Sequence, residues 1–345
     1  MNKLTNNQKR LRPHTPQRLM KVVITAFILL GLCIAASLVL GARLVSWDEL
    51  VTGLSYRELD SYGASVVRER VPRTIFGLCC GAALGISGAL MQAVTRNPIA
   101  DPSILGVNTG AALFVVAGIA FVDISSASQY IWFALAGAML TAIFVYGIGS
   151  MGRAGATPLK LVLAGTATSA ALSSLISAIM IPRSYVMDQF RFWQVGSVGA
   201  ANWNAIQTFL PFLVVGIIIA IMVAPSLNAL ALGDDVAKGQ GVRTGTIRIT
   251  AAFAGVILCG VTTALAGPIG FIGLLATHVI RLMLGPDLRL IIPLSAITGA
   301  VILTLSDVTG RLLTSPGELE AGVVTAFIGA PILIYLATRM KVRSL

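Results

Sequence analysis

About ten times along this chain an apolar run of helical length gives way to a short charged or Pro/Gly-rich break. A bilayer core about 30 Å thick takes about 20 apolar residues per helix, and backbone inside it must satisfy its own hydrogen bonds. The runs therefore predict transmembrane helices near 22–42, 71–94, 104–122, 129–150, 159–181, 204–225, 246–266, 268–285, 290–312 and 320–338. The stretch 247–283 is too long for one span and is expected to turn at Gly267-Pro268. Only 11% of the residues are charged, against about 25% in an ordinary soluble domain, which is too few to cover a water-facing surface. The expected fold is an all-α integral membrane protein of about ten transmembrane helices. Residues 1–21 form a basic cytoplasmic tail, and 22–345 form a single transmembrane domain with a cytoplasmic segment near 226–245.

The net charge of +11 does not point to nucleic acid, because the basic residues sit at the ends of apolar runs and not on a soluble face. Lys3, Lys9, Arg10, Arg12, Arg18 and Lys21 precede the first run as they would in a signal peptide. That run is longer than a signal-peptide core of about 7–15 residues, so it reads as a retained helix. With the N-terminus inside, 17 Lys and Arg fall on the cytoplasmic side and 8 outside. The positive-inside rule then places both termini in the cytoplasm. Cys33, Cys79, Cys80 and Cys259 lie in apolar runs without CxxC spacing and read as small packing residues, with no metal site indicated.

Two connections are longer than a turn. The internal one contains Leu230, Leu232, Gly233, Asp234, Asp235, Val236 and Gly241. Asp234 and Asp235 suit a helix N-terminus, and the apolar residues beside them suggest either docking to a soluble partner or packing against the chain's own membrane domain. The external one, 43–70, ends in Arg70-Val71-Pro72-Arg73, where proline is expected at the start of a helix. Arg70 and Arg73 read either as snorkelling interfacial anchors or as a cationic docking point for an acidic partner. Gly77, Gly81, Gly85 and Gly88 recur at spacings of four, four and three, the pattern of a close helix-helix contact.

The segment 88–110, reading Gly-Ala-Leu-Met-Gln-Ala-Val-Thr-Arg-Asn-Pro-Ile-Ala-Asp-Pro-Ser-Ile-Leu-Gly-Val-Asn-Thr-Gly, resembles the FecCD/BtuC family of importer permeases, which serves iron-siderophore, haem and vitamin B12 systems. Arg70-Val71-Pro72-Arg73-Thr74, the 230–242 segment, Gly267-Pro268-Ile269-Gly270-Phe271, Pro316-Gly317-Glu318-Leu319 and the run 322–331 are similar to further motifs of that family. The run 188–197 most resembles ferric catecholate (enterobactin-type) permeases. One departure stands out: Thr277-His278-Val279-Ile280-Arg281 has threonine where the family usually has proline, which is expected to change the local kink. His278 reads as structural in preference to iron or proton chemistry.

The resemblance implies a BtuC-like type II ABC importer permease of the bacterial inner membrane. It implies assembly with a second permease subunit (a heterodimer favoured over a homodimer), two cytoplasmic ATPase subunits and an external binding protein that delivers a ferric siderophore. It also implies that Arg70, Arg73 and Arg311 dock the binding protein, that 230–242 contacts the ATPase, and that Met91, Gln92, Asn97, Thr157, Leu161 and Gly165 line the pathway. No G-x-x-x-x-G-K-[ST] occurs in the chain, so ATP and Mg would be handled by the partner and no cofactor is expected here. A vitamin B12 or haem permease of the same family is an alternative. So is an ion-coupled secondary transporter, although such proteins usually bury charges near the midplane and, apart from Glu320 at the very edge of the last run, Asp307 is the only acid within a proposed span. A membrane scaffold or receptor without a transport cycle is a third.

Overall fold

A computed structural model describes residues 16–55, 61–151 and 158–339. Among them the chain is helical throughout: α1 (Pro16–Val39), α2 (Trp47–Leu54), α3 (Tyr62–Thr95), α4 (Val107–Val122), α5 (Ala127–Ser150), α6 (Pro158–Met180), α7 (Ser184–Gln194), α8 (Trp203–Ala231), α9 (Asp234–Gly239), α10 (Thr244–Ala266), α11 (Ile272–Leu284), α12 (Leu288–Leu313) and α13 (Ala321–Arg339). Seven described helices are long and apolar enough to cross a membrane, and α4, α11 and α13 are shorter apolar helices. These ten helices occupy the positions of the ten expected spans, seven of them at full crossing length. The turn at Gly267-Pro268 separates α10 from α11 as anticipated, with Gly267 at φ +74°. A side chain there would collide with the Trp193 carbonyl.

Two breaks hold more structure than the hydropathy pattern shows. The external connection contains α2, started by a capping box in which Ser46 and Glu49 satisfy each other's backbone N–H groups. The helix α3 starts at Tyr62, capped by Ser61, so Pro72 lies inside it and not at its start. Its ring nitrogen has no N–H to donate within the helix. The second addition is α7, which lies across the run 188–197.

Close approach to α3 organises the bundle. Gly81 sits against the Gly299-Ala300 backbone of α12, Gly85 against the Ser295 carbonyl and Gly88 against Gly273 of α11, while Gly77 faces Thr304. Without side chains at these positions the backbones meet directly, and dispersion does what the hydrophobic effect cannot do between helices in lipid. In α3 and α10, 78% and 72% of the most apolar window is buried. In α6 the figure is 6%: one side of that helix packs against α4 and α5, and most of its surface is left open within the single chain.

Candidate functional site

At one end of the bundle α8 hands over to α9. Val223, Leu227 and Leu230 are buried on one face of α8, at the helical spacing of four and three. Leu230 is therefore a core residue, not the exposed contact expected from sequence. Gly233 (φ +122°) redirects the chain in a conformation that favours glycine, and Asp234 and Asp235 open α9 as anticipated. Ala237 is buried and anchors the short helix, whereas Leu232 and Val236 are 68% and 47% exposed. The segment closes with Gly241 at φ +79° and a bond from the Val242 N–H to the Ala237 carbonyl. Asp234 turns back to the bundle, where it accepts from Arg96, the residue ending α3, and from Arg248 of α10.

At the opposite end α1, α3 and α12 converge. The Arg70 guanidinium donates to the carbonyls of Leu38, Val39 and Arg43 at 2.7–3.0 Å. Arg311 donates to the carbonyls of Ser37 and Leu40 and to the Ser37 hydroxyl at 3.1–3.2 Å. Ser37, Leu38 and Val39 belong to the last turn of α1, whose carbonyls have no intrahelical donor, so the two arginines cap α1 and tie down the chain that follows it. A side chain at Gly41 would run into the Arg70 guanidinium. Asp307 accepts from Arg73 through both Nε and Nη2 and pairs with Arg311 at 3.1 Å; Arg73 also reaches Glu318 at 2.8 Å. Arg70 and Arg311 are buried, and their forks are aimed inward. The expected outward-facing trio is thus corrected: burial and internal acceptors occupy Arg70 and Arg311. Only Arg73 lies at the rim, beside a Glu318 side chain that is 42% exposed.

The pathway residues read from sequence separate in the same way. Met91 and Gln92 are buried between α3, α10 and α11, so neither lines an open face. The Gln92 amide donates to the Thr277 hydroxyl at 2.6 Å and its carbonyl oxygen accepts from Arg281 at 3.1 Å. Thr277 in turn donates to the Gly273 carbonyl at 2.7 Å, so the threonine at the usual proline position makes a buried polar junction between α3 and α11. Asn97 turns the chain after α3, its side chain accepting from the Ile99 N–H. Leu161 and Gly165 are buried, with Leu161 facing Gly149 of α5. Thr157 lies outside the described residues.

The open face of α6 lies further along than sequence suggested, at Thr166, Ser173, Ser174 and Ser177, all exposed. Thr166, Ser174 and Ser177 bond back to carbonyls one turn earlier. A cavity of about 350 Å³ opens beside this face, with Asn108, Ser173, Ser177, Trp193 and Gln194 in its lining. Two of these, Trp193 and Gln194, belong to the run 188–197. Trp193 is held by a bond from Nε1 to the Ala264 carbonyl at 2.9 Å. Hydroxyls at a face left open in a membrane helix marked the place in the sequence, but the mostly small, apolar residues between them hid the pattern.

A family model described as "FecCD transport family" matches residues 28–339. The chain is 38% identical over 323 residues to the "Probable siderophore transport system permease protein YfiZ" of Bacillus subtilis (strain 168), covering 92% of this chain and 95% of the relative. It is 40% identical over 313 residues to the "Ferric enterobactin transport system permease protein FepD" of Escherichia coli (strain K12), covering 90% and 93%. A solved structure of a metal-chelate type ABC transporter in an inward-facing conformation superposes with a TM-score of 0.79 at 26% identity, over 93% of this chain and all of that one. With a match spanning nearly every membrane helix, this chain belongs to the FecCD transport family.

Proposed function

We propose that the chain is the permease subunit of an ATP-driven importer that carries a ferric siderophore across the bacterial cytoplasmic membrane, with both termini cytoplasmic. The observation that carries the reading is the turn from α8 into the six-residue α9, which leaves Leu232 and Val236 exposed at the end of the bundle, in a chain whose relatives are named as siderophore permeases. Exposed apolar residues beside charged ones at the end of a membrane bundle fit a protein partner. That partner is the ATPase, which binds ATP and Mg. The substrate class is catecholate, supported by the wording of 188–197, by the cavity that segment lines and by the enterobactin relative.

A second permease subunit, different from this one, covers the open face of α6, and the pathway runs between the two. An external binding protein docks over the opposite end. A carboxylate that it brings meets Arg73 at the rim by exchange with Glu318, while Arg70 and Arg311 hold the platform. Each ligand shifts the inward and outward states only through its different affinity for them. Co-purification of the ATPase tests the reading. Wild type should retain it, and Leu232→Asp with Val236→Asp should lose it while the membrane domain still folds. Equal ATPase recovery from both would contradict docking through these residues, and no recovery from wild type would favour a transporter without an ATPase.

A further inference from the structure

The coupling segment is jointed at both ends by glycines in conformations other residues rarely adopt, Gly233 at φ +122° and Gly241 at φ +79°, and neither has a neighbour where a side chain would stand. On backbone alone α9 could swivel on these joints without moving the helices behind it. Two side-chain links oppose this. Arg248, in the second turn of α10, places one guanidinium nitrogen 2.8 Å and 3.1 Å from the two Asp234 oxygens. Arg96 bonds the same carboxylate and also donates to the Leu230 carbonyl at 2.6 Å, bridging the end of α8 and the start of α9. Arg96 holds a left-handed backbone, φ +52° and ψ +31°, a conformation uncommon outside glycine. The α8 end is separately fixed to α12, where the Asn228 amide donates to Asp287 at 2.6 Å and its oxygen accepts from the Leu288 N–H.

The helices that Asp234 reaches, α3 and α10, are the two most deeply buried spans. We infer that Asp234 is a positioning residue which converts displacement of α9 into displacement of α3 and α10, so that ATP hydrolysis in a partner moves the membrane core. This rests on the reading that α9 meets the ATPase through Leu232 and Val236. The neighbouring Asp235 is exposed and takes no part in the link.

The test uses the assembled importer in proteoliposomes, with ATP hydrolysis and uptake of a ferric tris-catecholate chelate measured on the same preparation. Asp234→Asn should lower uptake per ATP hydrolysed by up to about tenfold, the two pairs it breaks being partly exposed and individually weak. Arg248→Gln should lower it in the same direction, and Asp234→Glu should restore it. An unchanged ratio in Asp234→Asn, with the ATPase lost from Leu232→Asp, Val236→Asp, would overturn the link alone. Loss of the ATPase from both Asp234→Asn and Arg248→Gln would also overturn it, since Asp234 would then only shape the docking helix. Retention of the ATPase by Leu232→Asp, Val236→Asp would overturn the docking reading and the link with it.

Discussion

Asp307→Asn separates two roles for the arginine cluster. The carboxylate is buried and meets three guanidinium nitrogens of two arginines at 2.7–3.2 Å. The substitution keeps the shape but leaves three cations facing one carboxylate, Glu318. Removing one partner of a buried pair costs about 3–5 kcal/mol. At about 2 °C per kcal/mol, the large-domain end of the usual range, melting should fall roughly 6–10 °C. Glu318→Gln is the control: its side chain is 42% exposed, and an exposed pair is worth about 0–1 kcal/mol. Thermal unfolding in detergent, followed by the loss of monodisperse protein, reads both variants. A melting point for Asp307→Asn within a degree of wild type, or equal to that of Glu318→Gln, would refute the structural role and return the arginines to docking.

Gly85→Leu should prevent α3 from seating on α12, because even a Cβ would collide with the Ser295 carbonyl; overpacking costs about 1–3 kcal/mol or more, and the folded yield after membrane extraction reports it. Thr277→Val should leave the buried Gln92 amide without its acceptor and lower stability by about 1–3 kcal/mol, read as a shifted melting point, with Thr277→Ser retaining wild-type stability.

The positions of the apolar helices and the Gly267-Pro268 turn were legible because bilayer thickness imposes a length on apolar runs whatever their neighbours. The glycine row on α3 was legible for a similar reason, since a spacing of four, four and three lines one face of any helix. Side-chain direction was not. Arg70 and Arg311 are buried because the end of α1, about thirty and 270 residues away in the chain, presents carbonyls there, and no local pattern carries that. Leu230 and Leu232 differ in burial because α8 continues to Ala231. The spacing of Val223, Leu227 and Leu230 held that information, but Pro225 suggested an earlier end to the helix. Pro72 misled in the same way, marking a helix interior where a start was expected.

The most direct measurement of the central claim is uptake of a ferric tris-catecholate chelate into proteoliposomes containing this chain, its companion permease and the ATPase, with the binding protein outside and ATP inside. Uptake that needs ATP and the binding protein together, and that a ferric hydroxamate does not compete for, is the result expected. Uptake that proceeds without ATP, driven by an ion gradient alone, would contradict the account.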